Sequence, residues 1–149
     1  MLNDEQLSDQ FFDFMGLHRN LMQKYFQGCG MFNGQPFMLF HIQCSPGITQ
    51  KELAREMNIT AASVATSVKR LEAADLVRRV PDEWDGRVLH LYLTPEGEAM
   101  DRHCRRAKTI LAAVQFDGFT DEDRAALACY LDRMSRNLQN ARPLLFPGQ

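Results

Sequence analysis

Asp85-Gly86-Arg87 places a carboxylate and a guanidinium two residues apart around a flexible glycine, inside the polar stretch Pro81-Asp82-Glu83-Trp84-Asp85-Gly86-Arg87. A basic side chain at a hairpin tip suits the narrow, electronegative minor groove of a duplex, provided an acceptor nearby holds its guanidinium. The same two residues would also make an ordinary surface ion pair, worth about 0–1 kcal/mol. Upstream, Thr60, Ala61, Ala62, Ser63, Thr66 and Ser67 are small or hydroxyl-bearing side chains at a helix start, with Lys69 and Arg70 a turn further on. Small residues let a helix approach base edges in a major groove; hydroxyls can bond those edges, and alanine can meet a thymine methyl. Lys69 and Arg70 would then lie where phosphates flank the groove. A merely solvated helix face would have the same composition. Thr49 and Gln50, at the start of the preceding helix, complete the candidate DNA-contacting set.

Other chemistries lack their residues. The sequence has no phosphate-cradling glycine-rich loop, no G-x-S-x-G, no H-E-x-x-H and no evident pair of carboxylates in a cleft. We therefore expect neither an enzyme nor a resident cofactor or metal. The four cysteines, Cys29, Cys44, Cys104 and Cys129, are widely spaced without a C-x-x-C pair. That pattern reads as reduced thiols.

The elements that must position these residues are legible from periodicity. A first helix over about 5–27 carries Leu7, Phe11, Phe14, His18, Leu21 and Tyr25 at alternating steps of four and three, a heptad-like seam. Gly28-Cys29-Gly30 ends it and Asn33-Gly34 marks a turn. A short helix over about 35–44, with Phe37, Met38, Leu39, Phe40 and Ile42 apolar almost all round, is expected at the centre of the core. Thr49-Gln50-Lys51-Glu52 is a capping box for a third helix that buries Leu53 and Met57. Asn58-Ile59-Thr60 breaks it, and a fourth helix from about Ala61 turns Val64, Val68 and Leu71 inward. The period then changes to two: 76–80 and 88–93 read as paired strands around the polar loop. Thr94-Pro95 starts a fifth helix, whose apolar face is Met100, Cys104, Ala107, Leu111 and Val114. Asp117-Gly118 closes it, and Thr120 opens a sixth with Leu127, Leu131, Met134, Leu138 and Ala141 on one face.

The expected fold is therefore mostly α with a small two-stranded β-wing, in the order α-α-α-α-β-β-α-α. Residues 35–94 would form a winged helix-turn-helix, and 1–34 with 95–149 a helical dimerisation lobe. Within 149 residues, 45% are hydrophobic and 24% charged, as in an ordinary globular protein. No apolar run approaches the roughly 18–20 residues of a membrane span, and the acidic start Met1-Leu2-Asn3-Asp4-Glu5 does not resemble a signal peptide. A cytoplasmic location and no membrane partner are expected. The formal net charge of −2 does not advertise nucleic-acid binding; 49–87 carries seven basic and seven acidic side chains. Any DNA-binding face must come from geometry, not bulk charge.

The motifs together resemble the multiple antibiotic resistance regulator (MarR) family. That family's wing reads Asp-x-Arg, five residues, then Leu-Thr-x-x-Gly; here Asp85-Gly86-Arg87, 88–92 and Leu93-Thr94-Pro95-Glu96-Gly97 keep the spacing. Ile48-Thr49-Gln50-Lys51-Glu52-Leu53-Ala54 is similar to its first helix-turn-helix segment. Val68-Lys69-Arg70-Leu71-Glu72, followed by Leu76-Val77-Arg78-Arg79, is similar to the end of its recognition helix. The resemblance implies that Arg87 is the minor-groove residue and that Asp85 positions it. Two departures stand out: Asp75 occupies a helix-end position that is usually Gly, and the wing carries Asp82 and Glu83, which would repel phosphates unless they face away.

By that resemblance the chain would be a homodimeric, sequence-specific transcriptional regulator, a repressor of a near-palindromic operator, with 60–74 in the major groove and 81–88 in the minor groove. Two recognition helices of a dimer would meet half-sites about 34–36 Å apart. A small-molecule effector would release it, and Phe14, His18, Met22, Met38, His41 and Met100 are candidates to line its pocket, although plain core packing has the same signature. Redox response through Cys29 or Cys104 and metal response through convergence of Cys29, His41 and His103 are alternatives within the same fold. A winged helix that binds protein instead of DNA is the rival of a different class; it needs neither the wing arginine nor a slim recognition helix.

Overall fold

A computed structural model of the chain describes residues 2–32 and 34–145, with side chains as far as 141. Its elements are α1 (Asp4–Gly28), α2 (Gln35–Cys44), α3 (Gln50–Met57), α4 (Ala61–Ala73), β1 (Val77–Pro81), β2 (Leu89–Leu93), α5 (Pro95–Gln115) and α6 (Asp121–Leu145). This is the expected order of four helices, a two-stranded wing and two helices. The Asn33 half of the expected Asn33-Gly34 turn lies outside the described residues; Gly34 caps α2 in a left-handed conformation.

Local chemistry sets most boundaries. The Thr49 hydroxyl accepts from the Glu52 N–H while the Glu52 carboxylate accepts from the Thr49 N–H at 2.9 Å, the reciprocal capping box that starts α3. Asn58 ends α3 in the left-handed region, at φ 52°. Thr60 then caps α4, its hydroxyl accepting from the Ser63 N–H at 3.1 Å. Asp75 takes φ 57°, the conformation that a helix-ending glycine would supply, so the departure at this position leaves the turn intact. β1 and β2 pair antiparallel in a register running from Val77↔Leu93 to Pro81↔Leu89.

The step from sheet to α5 is locked by Leu93-Thr94-Pro95-Glu96-Gly97. Thr94 is buried; its hydroxyl donates to the Asp75 carbonyl and accepts from the Gly97 N–H, and its own N–H donates to the Leu76 carbonyl. A Cβ on Gly97 would sit 1.9 Å from the Leu76 carbonyl oxygen, so only glycine fits.

Residues 1–109 form one compact unit and 110–149 a second. In the first, a single buried cluster joins Phe26 of α1, Met38, Leu39 and Ile42 of α2, Leu53 of α3, Val64, Val68 and Leu71 of α4, Val77 of β1, Leu91 of β2 and Cys104 of α5. α2 is not buried all round, as its composition suggests: Phe37 and Phe40 stay exposed, and the Arg105 guanidinium lies 4.6 Å over the Phe40 ring. α1 leaves most of its apolar seam open to solvent, with Leu7 58% and Leu21 49% exposed. In the second unit, Thr120 and Asp123 cap α6 reciprocally, and Tyr130, Leu131, Met134 and Leu138 are exposed along it. Among the described residues no helix is long and apolar enough to cross a membrane.

Candidate nucleic-acid interface

Two surfaces of the first unit hold the residues singled out for DNA contact. At the start of α4, Thr60, Ala61, Ala62, Ser63 and Thr66 are exposed and Ser67 is half-buried, while Val64 and Val68 anchor the opposite face in the core. The hydroxyls are already partly engaged. Thr60 and Ser63 bond each other at 2.8 Å. Thr66 donates to the Ala62 carbonyl at 3.0 Å, which leaves its oxygen only as an acceptor toward an outside group. Lys69 and Arg70 are exposed a turn beyond. Thr49 and Gln50 are half-buried, and the Thr49 hydroxyl is committed to Glu52.

The wing loop is built by two carboxylates. Asp82 accepts from the N–H groups of Trp84 and Asp85 at 2.9 and 3.0 Å, and Asp85 accepts from the Arg87 N–H at 3.0 Å. The loop closes through Asp82 N–H to the Val88 carbonyl and Val88 N–H to the Asp85 carbonyl. This corrects the reading that Asp85 holds the Arg87 guanidinium: it holds the Arg87 backbone, and so fixes where the side chain starts. Lys69, Arg70 and Arg87 make no ion pair among the described residues. By contrast Arg79 pairs with Glu72, and Arg78 stacks 4.9 Å over the Tyr92 ring.

Asp82 does not project toward a partner. Its second oxygen meets His90 Nε2 at 2.9 Å, and His90 Nδ1 lies 2.7 Å from the Gly47 carbonyl. The bond to His90, then those from the Asp85 and Trp84 N–H groups, hold the Asp82 carboxyl at about 2. The bonds to Asp82 and Gly47 raise His90 above its ordinary 6.5. Sequence reading passed over His90. The available signal was the alternation Leu89-His90-Leu91-Tyr92-Leu93, which puts His90 and Tyr92 on the face away from the buried Leu91.

The effector candidates do not converge on one site. Met38 is buried, and Met22 and Met100 pack half-buried against the same core cluster. Phe14 and His18 sit on the exposed seam of α1 with ring centres 6.3 Å apart, and His41 pairs with Glu56 at 3.0 Å. The Cys29-His41-His103 convergence also fails. Cys29 Sγ lies 3.4 Å from His103 Nε2, which Tyr25 Oη also reaches at 2.7 Å, but His41 is held by Glu56. Among the described residues no group of three or more His, Cys, Asp or Glu side chains could hold a metal. Cys104 is buried, and that burial, reinforced by Cys29 and Asp101, pushes its thiol up to about 11. It is the opposite of an activated sensor thiol.

Comparison with known proteins bears on the same segment. Residues 33–88 match the MarR family model. The chain is 27% identical over 114 residues to the HTH-type transcriptional regulator YybA of Bacillus subtilis, covering 76% of each. It is 28% identical over 100 residues to the HTH-type transcriptional regulator PecS of Dickeya dadantii, covering 64% of this chain and 57% of that one. Among solved structures, Streptococcus pneumoniae FabT in complex with DNA superposes with a TM-score of 0.83 at 21% identity, over 93% of this chain and 99% of that one. A MarR protein from Peptoclostridium difficile superposes at 0.76 and 23% identity, over 98% and 97%. At these identities the structural likenesses establish the winged-helix fold.

Proposed function

We propose that this chain, whose residues 33–88 match the MarR family model, is a sequence-specific, DNA-binding transcriptional regulator of that family. The observation that carries the reading is the pairing of two exposed features of the first unit. One is a slim hydroxyl-and-alanine end on α4; the other is a wing whose backbone is fixed by Asp82 and Asp85 while Arg87 stays free of any intramolecular ion pair among the described residues. The α4 end would read base edges in the major groove, Lys69 and Arg70 would meet phosphates, and Arg87 would enter the minor groove.

We assign 35–94 to DNA contact and 1–34 with 95–149 to dimerisation. The exposed apolar rows of α1 and of α6 support this, since faces of that size are normally covered. A two-fold dimer reads a near-palindrome and represses by occupying it. Release by a small molecule fits the shared core of the first unit. Phe26, Cys104 and the flanking Met22 and Met100 connect α1 and α5 to the helix-turn-helix, so a ligand that repacked them would move the reading helix.

The test is a salt-dependent titration of wild type and Arg87→Ala against duplex from the region upstream of the gene. Saturable binding that weakens with salt, and that Arg87→Ala weakens further by about 1–3 kcal/mol, is expected. Binding no tighter than to random duplex, unchanged in Arg87→Ala, would sink the reading and favour a protein partner for the winged unit. Light scattering at micromolar concentration should give a dimer; a monomer would remove the two-fold operator.

A further inference from the structure

We infer that His90 is the positioning residue of the wing: an imidazolium, protonated on both ring nitrogens, that ties the hairpin loop to the start of the helix-turn-helix. The inference rests on the reading of the wing as the DNA-contacting element, and it names the group that sets where that element sits.

The geometry decides the charge state. His90 Nδ1 is 2.7 Å from the Gly47 carbonyl oxygen, and Nε2 is 2.9 Å from the Asp82 carboxylate. A carbonyl and an ionised carboxylate can only accept, whereas a neutral imidazole donates from one nitrogen alone. A neutral ring would therefore leave two lone pairs facing each other across one of these contacts. The shared proton belongs to His90 and not to Asp82, because the other Asp82 oxygen accepts two backbone N–H groups, which favours the ionised form.

The junction is also where three segments meet. Gly47 N–H donates to the Leu91 carbonyl and Leu91 N–H to the Ile48 carbonyl, and Thr49 bridges His90, so 47–49 forms a short third partner for β2. Gly47 takes φ 87° with the Tyr92 hydroxyl 3.0 Å from where its Cβ would be. Through His90 the wing loop and β2 are tied to the lead into α3. The charged groups facing the ring are Asp82 from the wing and Glu52 from α3, both acidic.

The consequence is a direction in pH. His90 titrates above its ordinary 6.5, so the bridge is complete below that pH and is lost as pH rises through the elevated value. Asp82, held at about 2, stays ionised throughout.

Trp84 is the single tryptophan, and it sits 92% exposed in the wing loop, so its fluorescence anisotropy reports wing order without DNA. The experiment follows three readouts on the full chain from pH 6 to 9: ring ¹⁵N shifts, Trp84 anisotropy and duplex affinity. His90→Gln assigns the ¹⁵N signal and measures the background from the other histidines. We expect both His90 nitrogens protonated at low pH, and anisotropy that falls as the ring deprotonates. Affinity should fall with it, by about two- to fivefold, the scale of a part-exposed ion pair. In Asp82→Asn, the amide oxygen can still accept from Trp84 and Asp85 while its NH₂ donates to an unprotonated Nε2. That neutral bridge should flatten the pH response of Trp84. An unprotonated His90 nitrogen at pH 6, or an Asp82→Asn profile that tracks wild type, would overturn the inference. Expected ¹⁵N and anisotropy changes without preference for any duplex would support His90 as the wing's anchor while rejecting the DNA reading.

Discussion

Two adjoining stretches, the wing tip at 82–87 and the helix start at 93–97, are built on opposite terms. In the helix start the two locking residues face inward: Thr94 and Gly97 are buried, and each polar group of the lock has a backbone partner within it. In the wing tip the carboxylates of Asp82 and Asp85 satisfy the backbone, and what remains, Glu83, Trp84 and Arg87, is exposed. The first stretch is explained entirely by the fold. The second is fixed in shape yet presents side chains that the fold does not use. A loop held rigid around unemployed side chains is what a binding surface requires, because ordering it beforehand lowers the cost of association.

That contrast can be broken or sharpened by substitution. The largest effect should come from Gly97→Ala, whose methyl has no room beside the Leu76 carbonyl. Urea denaturation should show a loss of about 3 kcal/mol or more, and a wild-type midpoint would mean that α5 is not locked to β1 in this way. Arg87→Ala should separate the two stretches most cleanly. Duplex affinity should drop by about 1–3 kcal/mol, while urea stability stays within about 0.5 kcal/mol of wild type; a large stability loss would make Arg87 a structural residue. Thr94→Val removes the donor to Asp75 and strands the buried Gly97 N–H, at a cost of about 1–2 kcal/mol, with duplex affinity unchanged at temperatures where the protein is folded. Smallest should be Asp75→Gly, which relieves a left-handed aspartate and should raise stability by about 0.5 kcal/mol. A decrease would show that the Asp75 side chain contributes something beyond its backbone.

The legible parts of the site were those carried by local rules. Thr49-x-x-Glu52 and Thr60 announce helix starts because capping needs only residues three apart, and the structure has both. Thr94 and Gly97 were recognisable as a motif, but their reason was not, since Leu76 and Asp75 approach them only after the hairpin folds back. The role of Asp85 was misread for a related reason. Spacing of two residues suits a carboxylate for the next backbone N–H but one as well as for a side chain, and sequence does not choose between them. His90 was missed because its partners, Gly47 and Asp82, lie 43 and 8 residues away.

Periodicity and capping residues by themselves determined the order of helices and strands and the two stretches that carry the candidate residues, because each depends on neighbours within a turn or a hairpin. Tertiary structure alone decided which hydroxyls and carboxylates are already spent: Thr49 on Glu52, Asp82 on His90, Asp85 on the Arg87 backbone. It also decided that Met22, Met38 and Met100 share one core while Phe14, His18 and His41 do not join them. A hydrogen bond is made once, by the partner that folding brings nearest, and the choice among distant partners is settled only when the chain closes on itself.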